Sequence, residues 1–529
     1  MQAAIIDGYV DEPAVLGVPP YLSHYVRYAA AGYKILNYDV KYFTIDKIRK
    51  ENLWNAFDDY DEILIIGGLT VPGHYLSGTP ITPFEVKKIF SLNSHPYRVI
   101  FGSIARAYSM KGGSLAKKID IEVDEIVDDL SKYFLKDMNC KNLSKIAHFG
   151  SFIVKDHPFF PHIICEIEVS VGCERKSHCS FCTEPILHPV FKSRKITEII
   201  TEIETLYKEG IKAFRLGRTA NIIAYGADWN KNKINPSAIK ELYEGIREKA
   251  PHLEVLHADN ANPAYIARNK KESIKILQTI VKNNTSGDIL SFGIESFDPI
   301  VRRKNNLDGT LEEIEEAVRI VNEIGSKRDE NNIPHLLPGI NLIYGLIGER
   351  SETYEINYKT LLQYLEKGYL IRRINLRQIL IFPHTPLWKY TLTKKVKINK
   401  KKFKHYKYLI RQNIDLPMIK KVFPIGCIIR KVIPEIRKGK ITFGRPLGTY
   451  PPLIGIMAKV DNPCDVVIVN HGPRSLTGIR KGINIEEITI EELASIDGIS
   501  KNIAQKIKFE KDFSFLNESI KKLMYKILI

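Results

Sequence analysis

The stretch GCERKSHCSFC, residues 172–182, decides how the rest of the chain is interpreted. It places Cys173, Cys179 and Cys182 in a C-x5-C-x2-C spacing, directly after an apolar, strand-like run at 167–171. Three thiols on one short loop, in a chain with seven cysteines, indicate metal binding and not a disulfide framework. Three thiolates can hold three irons of a cubane [4Fe–4S] cluster and leave the fourth iron without a protein ligand.

An open iron can bind a molecule through an amino and a carboxylate group, and S-adenosylmethionine (SAM) carries both. Reductive cleavage of SAM at such an iron would release a 5′-deoxyadenosyl radical, while the protein supplies position and exclusion of water. The residues alone leave two other interpretations open. One is a zinc site that adds His178 or His188 to the three thiols. The other is three unliganded thiols, for which a polar loop offers no packing reason.

The cysteine loop lies at the start of a regular alternation of strands and helices in residues 160–390. Strand-like runs occur at 167–171, 213–217, 253–258, 289–294, 339–344 and 374–382, with helical patterns between them. This alternation predicts an α/β fold with a partial (β/α)6 barrel of the TIM type. Such barrels carry their chemistry at the C-terminal ends of the strands, where the cysteine loop begins.

The loop, with Phe181 just before its last cysteine, resembles the radical SAM superfamily, although its first gap is longer than the family's commonest spacing. The resemblance implies an enzyme of the iron–sulfur oxidoreductase or transferase type. It further implies a [4Fe–4S] cluster on the three cysteines, SAM, and an electron donor such as ferredoxin or flavodoxin.

The resemblance also implies SAM contacts at the ends of the barrel strands. The residues concerned are Phe181, Gly217, Glu295, Ser296 and Gly345. The family's second strand ends in a Gly-Gly-Glu-like motif, of which only Gly217 is retained here, because Arg218 and Thr219 follow it.

Residues 1–150 show a separate alternation, with strand-like runs at 3–6, 35–40, 63–67 and 98–102. It predicts a Rossmann-like domain with a ligand crevice near Gly67 and Gly68. This domain resembles the cobalamin-binding domain that precedes many radical SAM cores, but the lower-ligand motif Asp-x-His-x-x-Gly is absent. Cobalamin is therefore the less favoured expectation. No cysteine precedes Cys140, so the second cluster of methylthiotransferases is not expected, and the remaining cysteines (140, 165, 427 and 464) are expected to be ordinary thiols.

The C-terminal part is divided into a basic helical segment at 391–435, a small β-rich segment at 436–480 and a helix-hairpin-helix at 483–529. Lys400, Lys401, Lys402 and Lys404 are candidates for phosphate contacts, and Phe403, Tyr406 and Tyr408 for base stacking. A solvated amphipathic helix explains this segment equally well. The resemblance to a helix-hairpin-helix rests on residues 493–507, in which the turn at Gly498 can present backbone N–H groups to a phosphate.

The formal net charge of +17 favours a polyanionic partner. No apolar run approaches the length of a membrane span and no signal peptide is evident, so a cytoplasmic location without a membrane partner is expected. Three functions stay open: a radical SAM enzyme that modifies RNA, with transfer RNA as the expected substrate; a radical SAM enzyme, with or without cobalamin, that acts on a small molecule or a protein; and a non-catalytic zinc protein that binds nucleic acid.

Overall fold

A computed structural model describes residues 1–528 apart from 13–14, 69–75, 110–111, 137, 139–141, 229–232 and 397, so Cys140 and Lys397 lie outside the described residues. The N-terminal part is a five-stranded parallel sheet. In spatial order its strands are Asp39–Thr44, Gln2–Asp7, Glu62–Ile66, Tyr97–Phe101 and Glu125–Val127. Its helices are His24–Ile35, Ile45–Glu51, Pro83–Leu92, Ser103–Arg106 and Leu130–Phe134, and a 3-10 helix covers Leu143–Asp156. The predicted Rossmann-like arrangement is confirmed.

The strand predicted at 35–40 is wrong in its position. The helix His24–Ile35 buries Val26, Tyr33 and three consecutive alanines against the sheet and continues to the start of the predicted strand. Asn37 then takes a positive φ of 60°, and the strand begins at Asp39. The apolar pattern at 35–40 therefore belongs to a helix end and a turn.

The central part is the predicted partial barrel. Its six parallel strands are Ile164–Glu168, Ala213–Gly217, Val255–His257 with Asn260–Ala261, Asp288–Glu295, Leu336–Tyr344 and Arg373–Gln378. The helices on its outer side are Ile196–Lys208, Pro236–Lys249, Pro263–Arg268, Lys270–Asn283, Pro299–Lys304, Leu311–Gly325 and Ser351–Glu366. Several of these helices begin with a side-chain cap, such as the capping box of Thr310 and Glu313.

The first barrel strand lies three residues earlier than the run predicted at 167–171. Glu166 is fully buried on this strand and forms an ion pair with Arg215 of the second strand. A buried carboxylate facing the barrel interior makes the strand appear polar in sequence, and this hides its true start.

The N-terminal part forms strand pairs at both ends of the partial barrel's sequence. Tyr21–Leu22 lies parallel to the first barrel strand, and Ser114–Leu115 lies parallel to Leu380–Ile381, just beyond the sixth. The first barrel strand is thus paired at its outer edge, and the segment that follows the sixth strand is anchored to the N-terminal part.

The C-terminal part contains the helices Pro386–Thr391, Lys400–Ile410, Leu416–Val422, Ile490–Ala494, Lys501–Glu510 and Glu518–Leu528. Between them lies a closed five-stranded barrel, in the order Ile428–Lys438, Ile441–Arg445, Leu453–Ile456, Ser475–Arg480 and Cys464–His471. This 1-2-3-5-4 order, with the third and fifth strands parallel, is that of the OB-fold. Its first strand begins at Ile428, before the boundary predicted at residue 436. Arg430 and Lys431 interrupt the apolar alternation of this strand, and for that reason the sequence pattern assigned its first half to the basic segment.

A loop of the small barrel fills the N-terminal end of the large one. The Tyr21 hydroxyl donates to the Gly448 carbonyl oxygen at 2.6 Å and accepts from the Tyr450 N–H at 3.0 Å. The Thr449 N–H donates to His257 Nδ1 at 2.8 Å. The C-terminal strand ends remain for a site at the opposite end. No helix in the described ranges is long and apolar enough to cross a membrane.

Candidate active site

The cysteine loop is held in place by its own turn and by the segment after the fourth strand. Gly172 has a φ of 80°, and a Cβ there would lie 2.5 Å from the Val190 carbonyl oxygen, so only glycine fits. Ser180 donates from its N–H to the Asn305 carbonyl oxygen at 3.0 Å and from its hydroxyl to Asn305 Oδ1 at 2.7 Å. The Cys182 N–H donates to the Cys179 carbonyl oxygen at 3.1 Å, which closes the last turn of the loop.

All three thiols of the loop are partly buried, and burial raises the pKa of each. For Cys182 the pKa rises to about 12, with the nearby Cys179 as a further cause, and Cys182 in turn contributes to the raised pKa of Cys173. Arg175 donates to Cys179 Sγ at 3.1 Å. Thiols in such surroundings ionise when a bound cation such as iron supplies positive charge, so the donor set fits a cluster.

No three His, Cys, Asp or Glu side chains of the described ranges form a ready-made metal site. The assignment of Cys173, Cys179 and Cys182 as cluster ligands therefore stays a prediction.

A polar network that the sequence analysis missed surrounds the loop. Glu174 accepts from Asn221 Nδ2 at 2.9 Å and from Asn262 Nδ2 at 3.0 Å, and Asn262 also donates to Asp308 at 2.8 Å. Asn221 and Asn262 follow the second and third barrel strands, so their positions at strand ends were the available signal. The network fixes the loop against two neighbouring strand ends.

The end of the second strand departs from the family pattern. A Cβ on Gly217 would overlap the Glu166 carboxylate, so the glycine makes room inside the barrel. Arg218 is buried with a φ of 49° and donates to both oxygens of Glu184, at 3.0 and 3.1 Å. Glu184 also accepts from the Gly172 N–H at 2.7 Å. The carboxylate at this strand end therefore comes from the cysteine segment and is paired with Arg218.

Glu295 closes the fourth strand with an unusual backbone and an unsatisfied oxygen. Its φ is 63°, and its Oε2 is buried without a hydrogen-bond partner within the described part of the chain. Burial raises its pKa to about 8, while Arg377 and Arg302 oppose that rise. A carboxylate with an unsatisfied oxygen fits a ligand that offers hydroxyl or ammonium donors, as SAM does.

Ser296 differs from Glu295 because its hydroxyl serves the protein itself. It is fully buried, lies 3.4 Å from Asn357 Oδ1 and accepts from the Asp298 N–H at 3.1 Å. These contacts shape the turn that leads into the helix Pro299–Lys304. The predicted SAM contact of Ser296 stays a prediction.

Gly345 forms the turn after the fifth strand, and Phe181 packs against the apolar cluster next to that turn. Gly345 has a φ of 95° and donates its N–H to Glu349. Phe181 packs against the apolar cluster that includes Leu346, Ile379 and Leu387. The cysteine loop and the fifth-strand turn are thus joined through side chains that the sequence analysis had named separately.

The predicted nucleic-acid residues lie on the C-terminal part and not at these strand ends. Lys400, Lys401, Lys404 and Gly498 are exposed and Lys402 is half-buried. Of the aromatics, Phe403 and Tyr406 pack inward on Tyr344 and Tyr354, which does not favour their predicted base stacking, whereas Tyr408 is 62% exposed.

The predicted crevice of the N-terminal sheet is filled by the chain itself. A Cβ on Gly67 would lie 2.8 Å from Ile104, and one on Gly68 would lie 2.7 Å from the Val10 backbone. Tyr9 and Val10, which follow the first strand, are buried there. These contacts do not favour cobalamin at the described strand ends.

The chain is similar to several known proteins. The model of the Radical SAM superfamily matches residues 167–345. An uncharacterized protein of Archaeoglobus fulgidus is 38% identical over 502 residues, 94% of this chain and 93% of the relative. An uncharacterized protein of Methanocaldococcus jannaschii is 40% identical over 506 residues, 90% of this chain and 93% of the relative. The ribosomal protein uS12 methylthiotransferase RimO of Phocaeicola vulgatus is 28% identical over 149 residues, 28% of this chain and 32% of the relative.

Solved structures give more distant matches. The radical SAM methyltransferase TsrM from Kitasatospora setae, with cobalamin and a [4Fe–4S] cluster bound, has a TM-score of 0.48 at 13% identity and covers 73% of this chain and 77% of its own. The cobalamin-dependent SAM radical enzyme OxsB has a TM-score of 0.43 at 13% identity and covers 76% and 56%. Neither likeness is close enough to transfer a ligand or an activity. By its sequence match and its barrel, the chain belongs to the radical SAM superfamily of enzymes, which use a [4Fe–4S] cluster and SAM.

Proposed function

We propose that this enzyme holds a [4Fe–4S] cluster on Cys173, Cys179 and Cys182, cleaves SAM reductively, and modifies RNA, with transfer RNA as the expected substrate. When bound, the cluster and SAM supply the 5′-deoxyadenosyl radical, and ferredoxin or flavodoxin is the expected source of the electron. The observation that carries the RNA proposal is the presence of three C-terminal features suited to polyanions on one radical SAM core.

The protein's own residues orient the reactants and exclude water. Glu174, Asn221 and Asn262 fix the cysteine loop through hydrogen bonds of 2.9 to 3.0 Å. Glu295 offers its unsatisfied oxygen to a hydroxyl or ammonium donor of SAM. Gly345, with a φ of 95°, forms the turn after the fifth strand, where a Cβ would lie 2.7 Å from Ile398 and 2.8 Å from Ile379.

The features suited to RNA differ in how they contact a polyanion. The helix Lys400–Ile410 exposes Lys400, Lys401 and Lys404 while its aromatic side packs on the barrel. The OB-type barrel belongs to a class whose loops and strand faces bind oligonucleotides. The turn before the helix Lys501–Glu510 leaves Gly498 exposed with a φ of 87°. Together these features favour a nucleic acid over a small neutral substrate.

Charge reversal on the basic helix tests the RNA proposal. We expect Lys400→Glu, Lys401→Glu and Lys404→Glu, combined, to weaken binding of transfer RNA by about tenfold or more at low salt, because phosphate contacts release counterions. Fluorescence anisotropy over a salt series measures this. Lys271, Lys275 and Lys282, also exposed but on the helix Lys270–Asn283, provide a matched charge-reversed control. Equal RNA affinity in both triple variants would refute RNA docking at this helix.

A protein or small-molecule substrate is the alternative. The similarity to RimO, whose name describes action on a ribosomal protein, favours a protein. Comparison of modified nucleosides in transfer RNA from a deletion strain and its parent distinguishes the RNA proposal from this alternative, because only an RNA substrate changes that profile. The non-catalytic zinc alternative is not retained, since the family consists of enzymes.

A further inference from the structure

Three arginines on or near the sixth strand of the large barrel form no ion pair among the described residues. Arg373 and Arg377 lie on the sixth barrel strand, and Arg474 lies in the loop between the fourth and fifth strands of the small barrel. Within the described ranges, no carboxylate oxygen lies within 4.0 Å of any of the three, and none of their side chains donates a hydrogen bond. Arg373 is instead stacked on the Tyr450 ring, 3.8 Å from its centre.

The surroundings of these arginines carry further positive charge. Arg372 donates to the Tyr450 carbonyl oxygen at 3.2 Å and stacks on Phe423 at 4.6 Å. Arg411 donates to the Ile374 carbonyl oxygen at 3.1 Å and is the one member of this group of five arginines that forms an ion pair in the described structure, with Asp415. Of these five guanidinium groups, only that of Arg411 is therefore paired with a carboxylate in the described structure.

The arginines also repel one another. The pKa of Arg372 is lowered to about 9, first by burial and then by the neighbouring Arg373 and Arg474. The pKa of Arg474 is lowered to about 10 by partial burial and then by Arg411 and Arg373, while Asp415 opposes the change. Arg372 and Arg373 are half-buried and Arg474 is exposed. Like charges gathered in this way destabilise the protein unless carboxylates compensate them, and Asp415, which is paired with Arg411, compensates only in part.

The five arginines connect the basic helix Lys400–Ile410 with the end of the barrel where SAM is expected. Lys407, on the helix Lys400–Ile410, has its pKa lowered by burial and then by Arg411 and Arg474. At the other end, Arg377 lies near enough to Glu295 to oppose the rise in its pKa. Positive charge thus continues from the exposed lysines, past Arg474 and Arg373, to the strand end where SAM is expected.

We propose that Arg373, Arg377 and Arg474 bind a phosphate group of the substrate and guide it toward the reacting end of the barrel. Guanidinium groups bind phosphate through paired N–H donors, and none of the three spends its donors on a carboxylate within 4.0 Å in the described ranges. The assignment of this phosphate to RNA rests on the proposed function, whereas phosphate binding itself does not. A phosphorylated metabolite is the other source of the same chemistry.

Thermal unfolding of the full-length protein tests the site with inorganic phosphate as the probe. Phosphate should raise the melting temperature more than chloride at equal ionic strength, because it binds the folded state. Arg373→Gln and Arg474→Gln should each raise the half-saturating phosphate concentration by about tenfold. Arg437→Gln, at an exposed arginine of the small barrel, should leave it unchanged. Circular dichroism confirms that each variant is folded.

The source of the phosphate is then separated by competition. A short single-stranded RNA and ribose 5-phosphate, with ribose as the uncharged control, are each titrated against bound phosphate. Displacement by RNA supports both proposals, whereas displacement by ribose 5-phosphate alone supports the phosphate site and contradicts the RNA function. The phosphate site would be overturned if phosphate raised the melting temperature no more than chloride does. It would also be overturned if the parent, Arg373→Gln and Arg474→Gln all responded equally to phosphate.

Discussion

Glu295 combines burial, a positive φ and an unsatisfied oxygen at one strand end. Because its pKa is raised to about 8 from 4.5, the folded ligand-free protein binds this proton more tightly than the unfolded chain. Its contribution to stability is therefore fully present below pH 4.5 and is lost as the pH rises through 8. Glu295→Gln should remove a pH-dependent loss on the order of 2 kcal/mol.

Urea unfolding of the ligand-free protein between pH 5 and pH 9 measures this effect. Glu248→Gln, at an exposed glutamate whose side chain is 74% accessible, is the control and should keep the pH dependence of the parent. An identical pH dependence in Glu295→Gln and the parent would show that this carboxyl does not titrate as expected.

Gly217 makes room for a carboxylate inside the barrel. Gly217→Ala should lower the free energy of unfolding by about 2 kcal/mol, because the added methyl would overlap Glu166, which Arg215 holds in place. Gly455→Ala, where the nearest atom would lie 3.4 Å away, should cost much less. If Gly217→Ala and Gly455→Ala lower the free energy of unfolding equally, Glu166 moves aside for the methyl group and is not fixed by its burial.

At the scale of elements, the exposed turn of the C-terminal hairpin allows a specific prediction about RNA binding. Gly498 has a φ of 87°, which a β-branched residue adopts only with strain, whereas asparagine tolerates it. Gly498→Val should distort the turn and weaken RNA binding several-fold by anisotropy, and Gly498→Asn should weaken it less. If valine is as good as glycine, the hairpin is a packing element on the small barrel.

Elements with a clear apolar period were predictable from sequence, and those defined by buried charge or by distant pairing were not. The strand Ala213–Gly217 has the predicted bounds, whereas the first barrel strand was misplaced because Glu166 is buried as an ion pair. The OB-type order depends on pairing between residues 453–456 and 475–480, which no local pattern reveals. The proposed cysteine ligands follow from spacing alone, whereas the Glu174 network could be found only from the fold.

At the scale of the whole molecule, the loop at Gly448 and Tyr450 ties the C-terminal part to the base of the large barrel. Tyr21→Phe removes a hydroxyl that bonds both residues, at 2.6 and 3.0 Å, and leaves buried groups unpaired. It should cost about 2 kcal/mol and lower the midpoint of one cooperative transition. Calorimetry with Tyr525→Phe, an exposed control, tests this. Separate transitions in the parent would show that the parts fold independently.

Reductive cleavage of SAM is the measurement that tests the central claim most directly. Anaerobically reconstituted protein, reduced with dithionite, should convert SAM to 5′-deoxyadenosine and methionine, detected by liquid chromatography. Its [4Fe–4S] cluster should absorb light at about 400 nm. The combined change of Cys173, Cys179 and Cys182 to alanine should abolish both the absorbance and the product. Retention of the cluster by the triple variant, or no 5′-deoxyadenosine from cluster-loaded parent protein with or without RNA, would contradict the account.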